Sequence, residues 1–226
     1  MSAISPILIG MYDSSYTRRV AIALALYGLP FEHRAWSVGK DFDRIRQYSP
    51  LGRAPTLVLE DGEVLTESAM MLDYLDHLVG PQRALLPATG LARRDALRLI
   101  ALATGAIDKA MLIVLERVFR PVEMHSDAWL SRCRIQVEGA LRELDECCNA
   151  RAGHDWLVGD AMTHADIAVA CFTTHVRESV PLDLAPHPAL RTHVDRCEAL
   201  PVFRQHYIPF DAPVAAPGHD AQATAA

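Results

Sequence analysis

The sequence has no GxGxxG turn, no phosphate-binding Gly-Lys-Ser/Thr loop, no GxSxG, no HExxH and no acidic calcium loop. The common sequence signals for dinucleotides, nucleoside triphosphates, α/β-hydrolase chemistry, zincin zinc and calcium are therefore all missing. No apolar run approaches the roughly 18 residues that a membrane span needs; the longest cover only residues 20–26 and 110–115. Residues 1–6 carry no basic segment, and no apolar stretch with a small-residue cleavage site follows, so no secretory signal is expected. CxxC is also absent. The five cysteines, Cys133, Cys147, Cys148, Cys171 and Cys197, are an odd number confined to the second half. They read as reduced thiols of a cytoplasmic protein, and adjacent Cys147 and Cys148 as two small apolar residues of a helix. Positive charge is in deficit, 22 basic against 28 acidic residues, for a net −6. That is the wrong sign for nonspecific contact with nucleic acid or an anionic membrane, and neither partner is expected. Among the histidines, His187, His193 and His206 lack the i, i+3 or i+4 spacing of a ligand set and have no cysteine partner, so no metal site is expected.

What is present is a chain of 226 residues, half of them hydrophobic, enough for one large domain or two small ones. Its first part alternates in period. Ile7-Leu-Ile-Gly-Met-Tyr12 reads as a strand buried on both faces, residues 17–27 as a helix stopped by Gly28-Leu-Pro30, and residues 31–37 as a second strand. A short helix over 42–48, a loop at 50–53, a hairpin with Asp61-Gly62 at its turn and a helix from Ser68 to Val79 complete the order β-α-β-α-β-β-α. After Gly80-Pro81 and Pro87 the strand signals end, and helical patterns follow over 89–120, 126–150, 164–178 and 188–199. The expected organisation is an α/β unit at 1–80, a linker at 81–88, an all-α unit at 89–210 and a disordered tail at 211–226, whose residues include almost no large apolar side chains.

Four segments carry the chemistry. Tyr12-Asp-Ser-Ser-Tyr-Thr-Arg-Arg-Val places two serines between a strand and a helix, where either can cap the helix or donate a hydrogen bond to a ligand. Ser49-Pro-Leu-Gly-Arg-Ala-Pro-Thr-Leu57 puts Pro55 at the start of a strand, the place a residue without an N–H tolerates. Leu65-Thr-Glu-Ser-Ala-Met-Met-Leu72 reads as a helix start with Ser68 as its N-cap and free N–H groups facing an anion. Gly159-Asp-Ala-Met-Thr-His-Ala-Asp contains a capping box, Thr163 with Asp166, and Met162 against Ile167 as a hydrophobic staple. Thr163 and Asp166 are a folding signal with no catalytic role.

These four segments, in this order, resemble the cytosolic glutathione transferase family over about residues 6–208. The resemblance implies a thioredoxin-like α/β domain followed by an all-helical domain, and a homodimer. It implies glutathione as co-substrate, with no metal, and transfer of its thiolate to a small hydrophobic electrophile. Ser14 aligns with the family's catalytic Ser or Cys, with Ser15 second and Tyr12 as a further option. Arg53, Lys40, Ala54, Pro55, Glu67 and Ser68 would bind glutathione: Arg53 and Lys40 the glycyl carboxylate, Ala54 the cysteinyl backbone beside a cis Pro55, Glu67 and Ser68 the γ-glutamyl end. Met11, Tyr16, Ile113 and Phe119 would line the second-substrate cleft. A glutathione-dependent isomerase resembling maleylacetoacetate isomerase is an alternative, although its Ser-Ser-Cys turn has Tyr16 in place of the cysteine here. So is a non-catalytic member that uses the fold for binding or interaction.

Overall fold

A computed structural model describes residues 5–180 and 182–211. The tail expected at 211–226 lies, beyond Asp211, outside the described residues. The first half forms β1 (Ile7–Ile9), α1 (Ser15–Tyr27), β2 (Glu32–Arg34), α2 (Phe42–Arg46), β3 (Thr56–Val58), β4 (Val64–Thr66) and α3 (Ser68–Val79). The sheet order is β2-β1-β3-β4, with β1 parallel to β2 and antiparallel to β3, and β3 antiparallel to β4. Leu8 and Leu57, paired across the two central strands, are fully buried against Val20, Leu24, Met71 and Leu75 of α1 and α3. β2 is shorter than the 31–37 expected, because Trp36 N–H turns back onto the Arg34 carbonyl and ends the ladder.

From Val20 to Leu24 helix α1 is apolar and buried all round because it is covered twice: one face meets the sheet and α3, while Ile22 on the other packs with Ile167, Ala170 and Cys171 of the helical half. It stops where Gly28 adopts φ +66°, a left-handed cap that returns the N–H groups of Gly28 and Leu29 to Ala25 and Leu24.

The second half holds α4 (Gly90–Phe119), a 3-10 turn (Val122–Met124), α5 (Asp127–Ala150), α6 (His164–Ser179), α7 (Pro188–Glu198) and α8 (Pro201–Gln205). Residues 89–120 make one helix, and its apolar circumference near Ala110 and Ile113 faces both α5 and α6. α6 is the central element, buried along nearly its whole length. Polar contacts join the halves, two of them through buried charges. Arg18 of α1 forms a bidentate pair with Glu198 at 2.7 and 2.5 Å and donates to the carbonyls of Phe203 and His206. Asp76 of α3 accepts from Tyr27 Oη, from the N–H groups of Leu85 and Leu86, and from His164 Nε2 of α6. Among the described residues no helix is long and apolar enough to cross a membrane, and no His/Cys/Asp/Glu group could hold a metal ion.

Candidate functional site

The end of β1, the start of α1 and the segment ahead of β3 converge on Gly10. Its φ is +135°, and a Cβ there would stand 2.5 Å from Thr17 Oγ1 and 2.8 Å from Ala54 Cβ, so only a bare backbone lets these segments meet. The Ala54–Pro55 peptide bond is cis. Beside it a small cavity is lined by Tyr16, Leu51, Arg53, Ala54, Pro55, Thr66 and Glu67. One concavity thus gathers Tyr16, Arg53, Ala54, Pro55 and Glu67.

Three features of that concavity suit an extended, doubly charged ligand. The backbone N–H and C=O of Ala54 make no hydrogen bond among the described residues, which leaves a strand-like edge open at the end of β3. Arg53 and Glu67 face each other at 3.8 Å with both side chains largely exposed, one charge for a carboxylate and one for an ammonium. Glu67 has φ +72°, the single non-glycine residue with positive φ among those described. A bent conformation of that kind costs on the order of 1–3 kcal/mol and persists where the surroundings hold it.

Ser68 corrects the sequence reading. Glu67, not Ser68, occupies the N-cap position; Ser68 is the first helical residue and fully buried. Its Oγ accepts from Arg19 Nε at 3.1 Å and Nη2 at 2.7 Å. With its lone pairs taken by the guanidinium, the hydroxyl keeps its proton to donate. Arg19 is buried, lies 5.1 Å over the Phe172 ring and has no carboxylate within ion-pair distance among the described residues. Burial lowers its pKa to about 10, so it remains a cation at neutral pH. The α1–α3 contact therefore carries a fixed positive charge directly behind Ser68.

The two serines of the turn differ. Ser14 holds the N-cap position of α1 with extended backbone, yet its side chain makes no cap hydrogen bond. Ser15 is buried, and its N–H and Oγ both reach His175 Nδ1 of α6, at 3.3 and 2.8 Å. Burial pushes the His175 pKa down to about 4, so the ring is neutral, Nδ1 is the acceptor and Ser15 is the donor. Ser15 is thus an anchor for the first turn of α1 and is not open to a ligand. Tyr12 is stacked flat on His33, centroids 3.9 Å apart, and meets His206 edge-on; burial raises its pKa to about 12.

The second-substrate positions are dispersed. Tyr16 lines the cavity, bonds Asp108 of α4 through its hydroxyl and packs on Phe172. Ile113 is fully buried in the helical core, because its face of α4 is the one α5 and α6 cover, and it lines no cleft. Phe119, 66% exposed, ends α4, and Met11 is half-buried with its carbonyl accepting from Ser14 N–H; neither lines the cavity. Lys40 is exposed on the loop between β2 and α2 and also stands outside it. Sequence reasoning missed Arg19, Thr66, Asp108, Phe172 and His175. The adjacent arginines at 18 and 19, in an otherwise apolar helix, were the one available signal.

The comparisons agree with this architecture. Residues 8–83 match the glutathione S-transferase N-terminal domain model and residues 114–201 the C-terminal domain model. An uncharacterized GST-like protein of Escherichia coli is 30% identical over 164 residues, 73% of this chain and 78% of its own length. The maleylacetoacetate isomerase of Pseudomonas aeruginosa is 28% identical over 202 residues, 86% of this chain and 92% of its own. Among solved structures, a glutathione S-transferase of Methylobacterium radiotolerans, in complex with glutathione sulfonate, is 34% identical with a TM-score of 0.82, covering 96% of this chain and 98% of that one. A glutathione transferase family member from Pseudomonas fluorescens, with bound glutathione, is 30% identical with a TM-score of 0.79, covering 91% and 100%. With both halves matched in order and the strand–turn–helix site built between them, the chain belongs to the glutathione S-transferase superfamily.

Proposed function

We propose that the chain binds glutathione in the cavity beside Pro55 and directs its thiolate onto a small hydrophobic electrophile. The observation that carries this reading is the joint placement of Arg53, the open Ala54 backbone and Glu67 around one concavity. In it the glycyl carboxylate meets Arg53, the cysteinyl backbone pairs with Ala54, and the γ-glutamyl ammonium meets Glu67. The γ-glutamyl carboxylate accepts from the backbone N–H of Ser68 at the start of α3, whose buried side chain is anchored by Arg19. A relative with bound glutathione and one in complex with glutathione sulfonate support this ligand.

Ser14 is the thiol-activating group in this reading. A free thiol ionises near pH 8.5, and bringing that down to about 6.5 takes about 2.7 kcal/mol of selective thiolate stabilisation. A hydroxyl hydrogen bond to a charged group supplies about 1.5–3 kcal/mol, and the α1 N-terminus adds about 0.3–1. Ser14 is suited to that donation because its hydroxyl is not used as a cap, and it lies two residues before Tyr16, whose side chain lines the cavity. Tyr12 is the weaker donor, wedged between His33 and His206.

Conjugation and isomerisation share these steps. In conjugation the thiolate stays on the electrophile; in isomerisation it adds to a double bond, the bond rotates, and the thiolate leaves again. Seven relatives named as maleylacetoacetate isomerases or probable ones, at 26–30% identity, favour keeping the second reading. Calorimetry with glutathione, followed by assays on aryl halides and on a cis-enedione carboxylate, separates the outcomes. Saturable binding with turnover of either class supports the proposal, whereas the absence of glutathione binding would refute it. A homodimer is part of the proposal: Met70, Tyr74 and Leu78 leave an exposed apolar stripe at i, i+4 and i+8 along α3. Sedimentation of the wild type and of Tyr74→Glu tests it, with a dimer expected for the first and a monomer for the second.

A further inference from the structure

A second cavity, of about 250 Å³, lies in the helical half between the C-terminal end of α5, the loop that follows it and α7. It shares no lining residue with the cavity beside Pro55. Its apolar wall is made by Cys148, Trp156 and Leu157. Burial raises the Cys148 thiol to about 12 and lowers His193, also on the wall, to about 4, so both are neutral at physiological pH. His193 has its Nε2 turned to Cys197 Sγ at 3.6 Å and Asp166 Oδ1 at 3.5 Å, which fixes the ring as part of the scaffold.

The charge in this cavity comes from two arginines. Arg151 donates through Nε and Nη2 to the carbonyls of Trp156 and Gly159, and Arg196 through Nη1 to those of His154 and Asp155. These bonds hold both guanidiniums in place without neutralising them, and neither is ion-paired among the described residues. Arg196 keeps its Nε–Nη2 edge free of protein acceptors, the edge that binds a carboxylate with two parallel hydrogen bonds. Two positioned cations facing an uncharged, partly aromatic wall define the ligand that fits: one negative charge on a small flat apolar body.

We propose that this cavity is a second ligand site, separate from the glutathione site, which takes a small monocyclic carboxylate with its charge on Arg196 and Arg151 and its ring against Trp156 and Leu157. A volume of about 250 Å³, below the about 300–1,000 Å³ of sites for drug-sized ligands, suits a small ligand. The site differs from the glutathione site in kind: two arginines line it and no acidic group for an ammonium does.

Benzoate is the probe, with benzamide as its uncharged isostere, titrated into the intact protein by calorimetry with and without saturating glutathione. Saturable benzoate binding that glutathione leaves unchanged is expected, with benzamide at least about tenfold weaker. Arg196→Gln should weaken benzoate at least about tenfold, the loss of one charge-assisted pair. Because Arg196 also anchors the loop, Thr192→Phe serves as a second variant: it fills the cavity mouth from the exposed face of α7 and leaves both arginines in place. It should abolish benzoate binding with glutathione affinity intact. No saturation by about 10 mM, equal binding of benzamide, insensitivity to both substitutions, or displacement by glutathione would each overturn the assignment.

Discussion

At the start of α6, Thr163 Oγ1 accepts from Ala165 N–H and Asp166 returns a bond to Thr163 N–H at 2.8 Å, completing a capping box. At the start of α1, Ser14 occupies the same N-cap position and makes no cap bond. Both helices begin with a hydroxyl residue that sequence rules mark as a cap, and both pack against one another in the core. The difference lies in what satisfies the first turn. Asp166 accepts also from Leu157 N–H, at 2.8 Å, and is fully buried, so the α6 start is a closed folding unit. The α1 start is held from outside, by Ser15 on His175 and Arg19 on Ser68, which releases Ser14 from a structural role. A hydroxyl at a helix start is thus a fold signal when its own turn closes on it, and a site signal when neighbours do the closing.

The largest effect is expected where the two regimes meet. Gly10→Ala forces a Cβ into Thr17 and Ala54, in a backbone conformation that side chains rarely adopt. It should cost about 3 kcal/mol or more and abolish glutathione binding together with stability. Denaturant unfolding and calorimetry on the same sample check both. Next, Asp166→Ala removes a buried acceptor of three protein bonds and should cost about 3 kcal/mol, against about 1 for Thr163→Ala, with glutathione affinity per folded molecule unchanged in each. Equal losses would show that the box, not the Leu157 contact, dominates.

A pH titration of stability sharpens the same contrast. His175 behind α1 and His193 beside Asp166 are both held neutral by burial down to about pH 4. The unfolded chain protonates near 6.5 and binds more protons across that window, so stability rises with pH there. It is fully present above about 6.5, and acidification from 6.5 to 4 removes up to about 1.4 kcal/mol per pH unit for each ring. Asp76 acts lower: burial opposes its charge, but His164 and Tyr27 hold its pKa below the usual value. Its contribution persists above the unfolded pKa near 3.9 and is lost as pH falls beneath it. In His175→Asn the acid loss should be shallower than in the wild type; an unchanged slope would remove His175 from the account. The smallest stability effect belongs to Ser14→Ala, less than about 0.5 kcal/mol, because no cap bond is lost.

Much of this was legible in the sequence. The switch from strand periods to helical ones after Gly80, the Gly28 stop, the Asp61-Gly62 turn and the Thr163–Asp166 box are local, and local signals survive folding. Arg53, Ala54, Pro55 and Glu67 lie near one another in sequence or across one hairpin, so their convergence was readable as well. What escaped needed long-range geometry. Nothing local says that Ser15 meets a histidine 160 positions away, that Arg19 rather than a helix end holds Ser68, or that the turn of α4 at Ile113 faces inward. Periodicity shows that a helix is apolar on most sides but not which neighbours cover it, and for that reason the cleft residues were the weakest part of the reading.

The central claim is that Ser14, free of capping duty, ionises the glutathione thiol. Its most direct test is the ultraviolet thiolate absorbance of bound glutathione at pH 6 to 7 in wild type, Ser14→Ala and Ser15→Ala. The account predicts a thiolate band in the wild type, its loss in Ser14→Ala with glutathione still bound and the unfolding midpoint unmoved, and a band retained by whatever folded fraction Ser15→Ala yields. A band that survives in Ser14→Ala and vanishes in folded Ser15→Ala would contradict it.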